Sequence, residues 1–560
     1  MKRYTYLLLA AFSTGLLAGC SDFLDSDPMT SLVESTFYKT EKDAAMALVG
    51  CYDGLQTIWA DGMAVPVSSL VMADECFGGT GVTDGFGYRM VDEFDQSLSP
   101  TDVNIYNPNW ILYYKAIYRC NMLLSKLDQI NWKTERNREQ VEAECRFIRA
   151  FIYFEMVRLW ENIPLVTSPL SVSESNIPQS DPDDVYALIS EDLLFASKYA
   201  HLAGETWTEG WAGVNDGHVT VYAAKAMLAR VYLYYAGYYN KTSLPNGTTK
   251  EAVKDSLLTV YTSGHGLVKP YSDLWPSTST VRDPSEDPLG LKTTYAGEGN
   301  KETVWAIKFN SNGKWSPSTI DGFIAMKMLG LRNGQIQSFG TTVYGDGAWG
   351  GATVNPLFVD AWKTAEPTDP RLNWSVIDCV KEGITMTSGH TQDEYTGFFT
   401  KKYTCLGNGT DHIYVAQSLD FQINQYQDYV VIRYADVLLM LAELTEDATY
   451  LNEVRDRVGL PAVAYSVDNL RKERTYELAF EGLRYWDMLR YDHTLQYAAN
   501  AVTIPANTLK VIKGGGDPGT YKVIDGANLI NCKGLAPIPN KQITLSNGVL
   551  KQNTGWGEAQ

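Results

Sequence analysis

The sequence predicts a mostly α-helical protein, a scaffold of paired helices interrupted by one large, irregular, loop-rich insertion that contains short strands. Three observations lead there. Apolar residues recur at helical spacing through several long stretches separated by short links. Between residues 264 and 427 that periodicity fades and Gly, Ser, Thr, Pro and Trp rise. Helical periodicity then returns at 428–493. Helices in antiparallel pairs with short joins form the pattern of an α-solenoid, although no clean 34-residue repeat is present.

The chain begins with a processing segment. Lys2 and Arg3 precede the apolar run LLLAAFSTGLL, which is too short to span a bilayer. Leu17-Ala18-Gly19-Cys20 follows and resembles a bacterial lipobox, so residues 1–19 read as a lipoprotein signal peptide and Cys20 as the acylated residue. An ordinary cleavable signal with an incidental Cys is the lesser reading. One acyl chain anchors weakly, so a stable anchor takes several. The acidic stretch after Cys20 makes residues 20–35 a tether, and 36–560 read as a single domain.

Of 560 residues, 45% are hydrophobic, enough for a large core, and the net charge is −19. That charge, with no basic run, argues against nucleic acid and anionic membrane surfaces as partners. Eight Cys show no C-x-x-C pair, so a zinc site is not expected; Cys120 and Cys145 read as buried thiols, and Cys379 with Cys405 is a weak disulfide candidate.

Taken in order, Glu41–Gln56 predicts a first helix capped by Thr40. Residues 60–102 are Gly-rich, acidic and aromatic and read as a long loop. Helices follow at Ile105–Ile130 and Arg136–Trp160, after Asp181-Pro182, at His218–Tyr239 and near Lys250–Thr262. In the insertion, 303–310 and 397–406 look like strands and 345–352 like an exposed turn. Residues 428–444 are apolar almost all round and read as a buried helix; Tyr450–Val458 is another, stopped by Gly459. The scaffold thus covers 36–263 and 428–493, the variable loops 60–102 and 264–427, and a C-terminal loop and tail 494–560.

Ser466–Asp492 reads as one helix around which the rest is organised. Glu473, Arg474, Glu477, Glu481 and Arg484 fall in one band on a surface otherwise apolar. A charged band on a buried helix predicts a desolvated ion-pair network of Arg474, Glu477, Glu481 and Arg484.

These segments together resemble the SusD/RagB family, the surface nutrient-binding lipoproteins of Bacteroidetes. The resemblance is carried in order by CSDFLDSDP, residues 36–55, 113–124 and 143–166, VTVYAAKAMLARVYLY, Asp369-Pro370-Arg371, VVIRYADVLLMLAE, RKERTYELAFEGLRYWDMLR and the ending LAPIPNKQIT…QNTGW. It implies a tetratricopeptide-like scaffold, a variable ligand-binding region, and docking on a SusC-like TonB-dependent outer-membrane transporter. It also implies glycan binding in most members and peptide binding in some.

Three functions are weighed. Glu477 and Glu481, one turn apart, raise a glycosidase, but neighbouring Arg residues lower carboxylate pKa values where a general acid needs a raised one. No HExxH, nucleophile elbow or phosphate loop occurs, and no cofactor is expected. A surface calcium stays open. The favoured reading is non-catalytic capture of an oligosaccharide or polysaccharide at the outer-membrane surface, with peptide as the alternative ligand. Aromatics beside polar groups on Gly-rich loops suit sugars, which nominates Asp74, Phe77, Tyr88 and Arg89 in the first loop, along with Glu75 and Phe86. Trp275, Trp315, Tyr344 and Trp349 are the second set. Ordinary core or loop packing is the competing reading for each of these aromatics. From the network alone, Glu481→Ala is expected to destabilise the protein by about 3 kcal/mol through an orphaned buried charge; an unchanged thermal midpoint would count against it.

Overall fold

A computed structural model describes residues 37–557, except 62–63, 86, 175, 202–216, 284, 286–290, 312–320, 341, 346 and 408–422. The mostly helical architecture is as expected. Ten scaffold helices are α1 Glu41–Asp61, α2 Asn107–Lys126, α3 Glu135–Trp160, α4 Pro182–Tyr199, α5 Val221–Tyr238, α6 Lys250–Tyr261, α7 Tyr434–Thr445, α8 Ala448–Arg457, α9 Val467–Glu477 and α10 Arg484–Arg490. Their starts are locally encoded. Thr134, Asp181, Thr220, Thr249 and Ser466 each accept a backbone N–H of the first turn.

Each helix packs on the next from α1 to α6, and α7 then closes onto α6 across the whole insertion. This is the solenoid logic, with nearest neighbours burying each other's apolar stripes. Helix α3 sits at its centre, with Phe147, Ile148, Phe151, Ile152, Tyr153 and Trp160 all essentially inaccessible. Gly237 lets α5 meet α10: a Cβ there would lie 2.1 Å from the Arg490 carbonyl oxygen. No described helix is long and apolar enough to cross a membrane.

Five expectations are corrected. Residues 60–102 are not a long loop. Helix α1 runs on to Asp61, Ala64–Val71 is helical, Cys76–Gly79 is a strand and Gly87–Asp92 a short helix. The apolar stretch at 428–444 divides: Tyr429–Arg433 is a strand paired antiparallel with Thr303–Ile307, and only then does α7 begin. A β-branched run can serve either state, and an available partner strand decides. The C-terminal segment contains an antiparallel hairpin, Ile504–Val511 with Thr520–Ile524. Cys379 and Cys405 are both free, buried thiols, and they belong to separate apolar cores.

The fifth correction concerns Ser466–Asp492, which is two helices. Residues 478–483 form a turn, with Phe480 at φ 60° and Gly482 at φ 72°. Gly482 is the overlooked stop signal. A Cβ there would lie 2.9 Å from Ser69 Oγ and 3.0 Å from the Tyr429 hydroxyl.

The turn leaves the charged residues with partners outside their own helix. Glu477, fully buried, accepts from Arg371 at 2.9 Å and also from Arg433 and Arg457. Glu481 accepts from Arg433 at 2.7 and 2.9 Å and from Lys402 at 2.6 Å. Glu302, also fully buried, bridges Arg433 at 2.9 Å and Arg457 at 2.8 Å. Asp369 and Glu473 complete the cage on Arg371, and Arg455 on Glu473 at 2.8 Å. Glu302, Asp369, Glu473, Glu477 and Glu481 thus balance Arg371, Lys402, Arg433, Arg455 and Arg457. Burial alone would raise the Glu477 carboxyl, but Arg457, Arg433 and Arg371 outweigh it and hold it well below the usual range. Arg474 joins a second knot, bonding Asp436 and Asp487 at 2.8 Å each. Arg484 reaches Asp74 at 2.9 and 2.8 Å.

Beside that last pair, Glu75 is fully buried with only its Oε1 bonded, to the Phe480 N–H at 2.9 Å. Burial pushes its carboxyl up to about 8. A carboxyl whose pKa is raised by folding contributes stability that is present at acid pH and lost as pH climbs from about 4.5 towards 8. Glu75→Gln keeps the acceptor for Phe480 and removes the ionisation. It is expected to match wild type in urea unfolding at pH 5 and exceed it by more than about 1 kcal/mol at pH 8. An equal difference at both pH values would show that Glu75 does not titrate there.

Candidate functional site

The two regions read as separate loops are joined by one sheet. Its strands run Cys76–Gly79, Gly351–Val354, Phe398–Thr400 and Val376–Asp378, all antiparallel. Glycine makes the first pairing possible. Gly79 has φ 67°, and a Cβ on it would sit 2.5 Å from the Gly350 carbonyl. Gln392, fully buried, locks the junction by donating its amide to the carbonyls of Thr80, Gly350 and Asp393 at 2.8–3.0 Å.

The strand is also held by charge. Gly78 and Gly79 donate their N–H groups to Asp92 and Glu394 at 2.7 and 3.0 Å. Both carboxylates, with Glu93, surround the buried ammonium of Lys522 from the C-terminal hairpin at 2.6–3.1 Å. Arg89 adds a second cation, 3.0 Å from Glu93. Three carboxylates against two cations leave one charge in excess, and burial with the neighbouring carboxylates raises Asp92 well above its ordinary value.

At the rim, Arg332 forks onto Asp84 at 2.7 and 3.3 Å and donates to the Trp349 carbonyl at 2.8 Å. The Arg332 side chain keeps 16% of its exposure and Asp84 37%. The Trp349 indole is half-buried, its ring 4.2 Å from the buried Lys327 ammonium. The arrangement offers a backed aromatic face next to a cation and an anion that both keep part of their surface exposed. That set suits a neutral, hydroxyl-rich ligand, whose C–H faces stack and whose hydroxyls both donate and accept.

Of the residues nominated from sequence, Trp349, Tyr88 and Arg89 keep exposed surface. The others do not offer open faces. Phe77 is buried with its ring 5.3 Å from the Lys522 ammonium, and Asp74 is spent on Arg484. Trp275 is buried with Lys402 4.7 Å above its ring, closing the ion cage. Tyr344 packs in the smaller core with Leu331, Ile377 and Phe399. Phe77 and Trp275 share one physical reason. An aromatic beside a charge in a Gly-rich stretch packs over buried ion pairs as readily as it faces solvent. Phe86, Trp315 and Cys20 lie outside the described residues. Asp84, Lys327, Arg332 and Gln392 were not nominated. Only the glycines flanking them, at 78–81 and 350–351, hinted that two backbones meet there.

A concavity of about 800 Å³ lies on the scaffold. Trp110, Tyr114 and Tyr118 line it at four-residue spacing along α2, facing Leu545 and Gln542.

With the helical-pair scaffold and the loop-rich face in place, comparison with known proteins assigns the class. Residues 301–556 match the model of the SusD family, and residues 84–233 match that of a second SusD-like family described as starch-binding and associating with the outer membrane. A SusD-like protein of Formosa agariphila is 23% identical over 87% of this chain and 89% of its own. One of Bacteroides ovatus is 23% identical over 88% and 84%. A laminarin-binding SusD-like protein of known structure superposes with a TM-score of 0.69 at 25% identity, over 92% of this chain and 99% of that one. Surface glycan-binding protein A from Bacteroides thetaiotaomicron, in complex with laminarihexaose, gives 0.70 at 22% identity over 92% and 100%. The chain belongs to the SusD/RagB family. These relatives are named as binding proteins or simply as SusD-like proteins, and none as an enzyme.

Proposed function

We propose that this protein is a non-catalytic, lipid-anchored component of the outer-membrane surface. It captures a glycan on its loop-rich face and delivers it to a partner TonB-dependent transporter. The observation that carries the binding reading is the rim of the shared sheet, where Trp349 is backed by Lys327 beside the Arg332–Asp84 pair. Stacking on one ring supplies modest affinity, about 0.5–1.5 kcal/mol beyond area burial, so several sugar units must bind at once, which favours an oligomer over a monosaccharide. The laminarin-binding and laminarihexaose-bound relatives make a β-glucan the first ligand to test. The anchor rests on Cys20, and the transporter on family membership.

Binding without chemistry is consistent with the fate of the acidic pair. Three Arg side chains contact Glu477, and Lys402 with Arg433 covers Glu481, so neither carboxyl is available to protonate a glycosidic oxygen. Affinity electrophoresis against laminarin and a panel of plant and host glycans and peptides checks the reading. Trp349→Ala is expected to weaken glycan binding at least about fivefold, while Tyr118→Ala in the scaffold groove leaves it unchanged. The reverse pattern would move the site to the groove. Hydrolysis of a retained glycan, or retention of peptides alone, would overturn the proposal.

A further inference from the structure

Cys51, Cys120 and Cys145 are far apart in sequence, and their spacing matches no metal motif. In the fold they come from α1, α2 and α3, the three helices that open the solenoid, and their Sγ atoms all lie within 4.8 Å of one another. All three are completely buried. Close helix approach produces the convergence: one turn from Cys51, a Cβ on Gly54 would lie 3.2 Å from Ala116 Cβ, itself one turn before Cys120. Two guanidiniums flank the group. Arg119 donates to the Gly50 carbonyl at 2.7 Å, and Arg149 to Asp192 at 2.8 and 3.0 Å and to Asn121 at 2.8 Å.

We propose that Cys51, Cys120 and Cys145 form a buried, three-sulfur site for a soft, divalent, closed-shell cation. The geometry fits. A metal in the plane of three thiolates at about 2.3 Å from each puts the sulfurs about 4 Å apart. The chemistry is selective. No His or carboxylate joins the group among the described residues, so hard ions find no oxygen ligand, and thiolates favour soft metals. Full burial leaves no fourth position for water, which disfavours tetrahedral zinc and favours a softer ion content with three ligands.

Charge balance supports a divalent ion. The Cys145 thiol donates to the Cys120 carbonyl at 3.4 Å. A divalent cation that binds all three sulfurs as thiolates releases three thiol protons to solvent and leaves a net charge of −1. A monovalent ion would leave −2 in an apolar helix interface, which is costly.

Because the site is enclosed, loading is tested through folding. The full-length chain is unfolded in reductant, refolded with one equivalent of cadmium(II), and freed of loose metal on a desalting column. Wild type and the distant-thiol control Cys532→Ala are each expected to retain one cadmium per chain, with a thiolate-to-cadmium charge-transfer band and a thermal midpoint above that of metal-free protein. Cys120→Ala and, independently, Cys51→Ala are expected to retain none. Wild-type retention no greater than in whichever of these two variants refolds would overturn the site. So would a native disulfide between two of the three cysteines, found by thiol counting in denaturant.

Discussion

The structure depends on a cluster of charges removed from water. Glu477 is buried among three guanidiniums, and Glu302, Glu473, Glu481 and Asp369 share those same cations or their neighbours. Each ion taken alone would cost several kcal/mol to bury, so the cluster is tolerable only when complete. That completeness ties distant segments together. Arg371 and Lys402 come from the insertion, Arg433 from the strand that closes the solenoid, Arg455 and Arg457 from α8, and Glu302 from the edge of the strand Thr303–Ile307. An apolar core of equal volume would tolerate a slipped register; a network in which every carboxylate has named donors does not.

The same principle recurs at smaller scale under the loop-rich face. Lys522 gathers Asp92, Glu93 and Glu394, and two of these acids accept the backbone N–H groups of Gly78 and Gly79. A residue of the C-terminal hairpin therefore fixes a strand more than four hundred residues earlier. With Gln392 bonded across the glycine junction, the rim that carries Trp349, Arg332 and Asp84 stands on a rigid base. Precise placement matters for a binding surface, because side chains held by their supports lose little freedom when a ligand arrives. The scaffold and the binding face are thus built by one device, buried charge satisfied from far along the chain.

Legibility from sequence followed the range of the interaction. Helices α2 to α6 were readable because capping residues and apolar periodicity act within a few positions, and Pro182, Thr220 and Thr249 mark their starts. The identity of Glu477 and Glu481 as buried, paired carboxylates was readable from the apolar residues around them. Their partners were not, since Arg371 and Lys402 sit in the insertion with nothing local to point at a helix a hundred residues away. Phe77 and Trp275 misled because an aromatic that covers a buried cation and an aromatic that stacks on a sugar share the same local signature. Gly482 was a readable stop that the apolar run on either side concealed.

By itself the sequence determined the helical scaffold, the irregular insertion and the family, because each rests on periodicity, composition or motifs carried in contiguous residues. Tertiary structure alone decided which glycines meet to form the shared sheet, which aromatics remain at the surface, and which thiols converge between α1, α2 and α3. Those outcomes depend on close approach between segments distant in the chain. Close approach is set by packing and by the mutual satisfaction of buried charges, and neither leaves a local pattern to read.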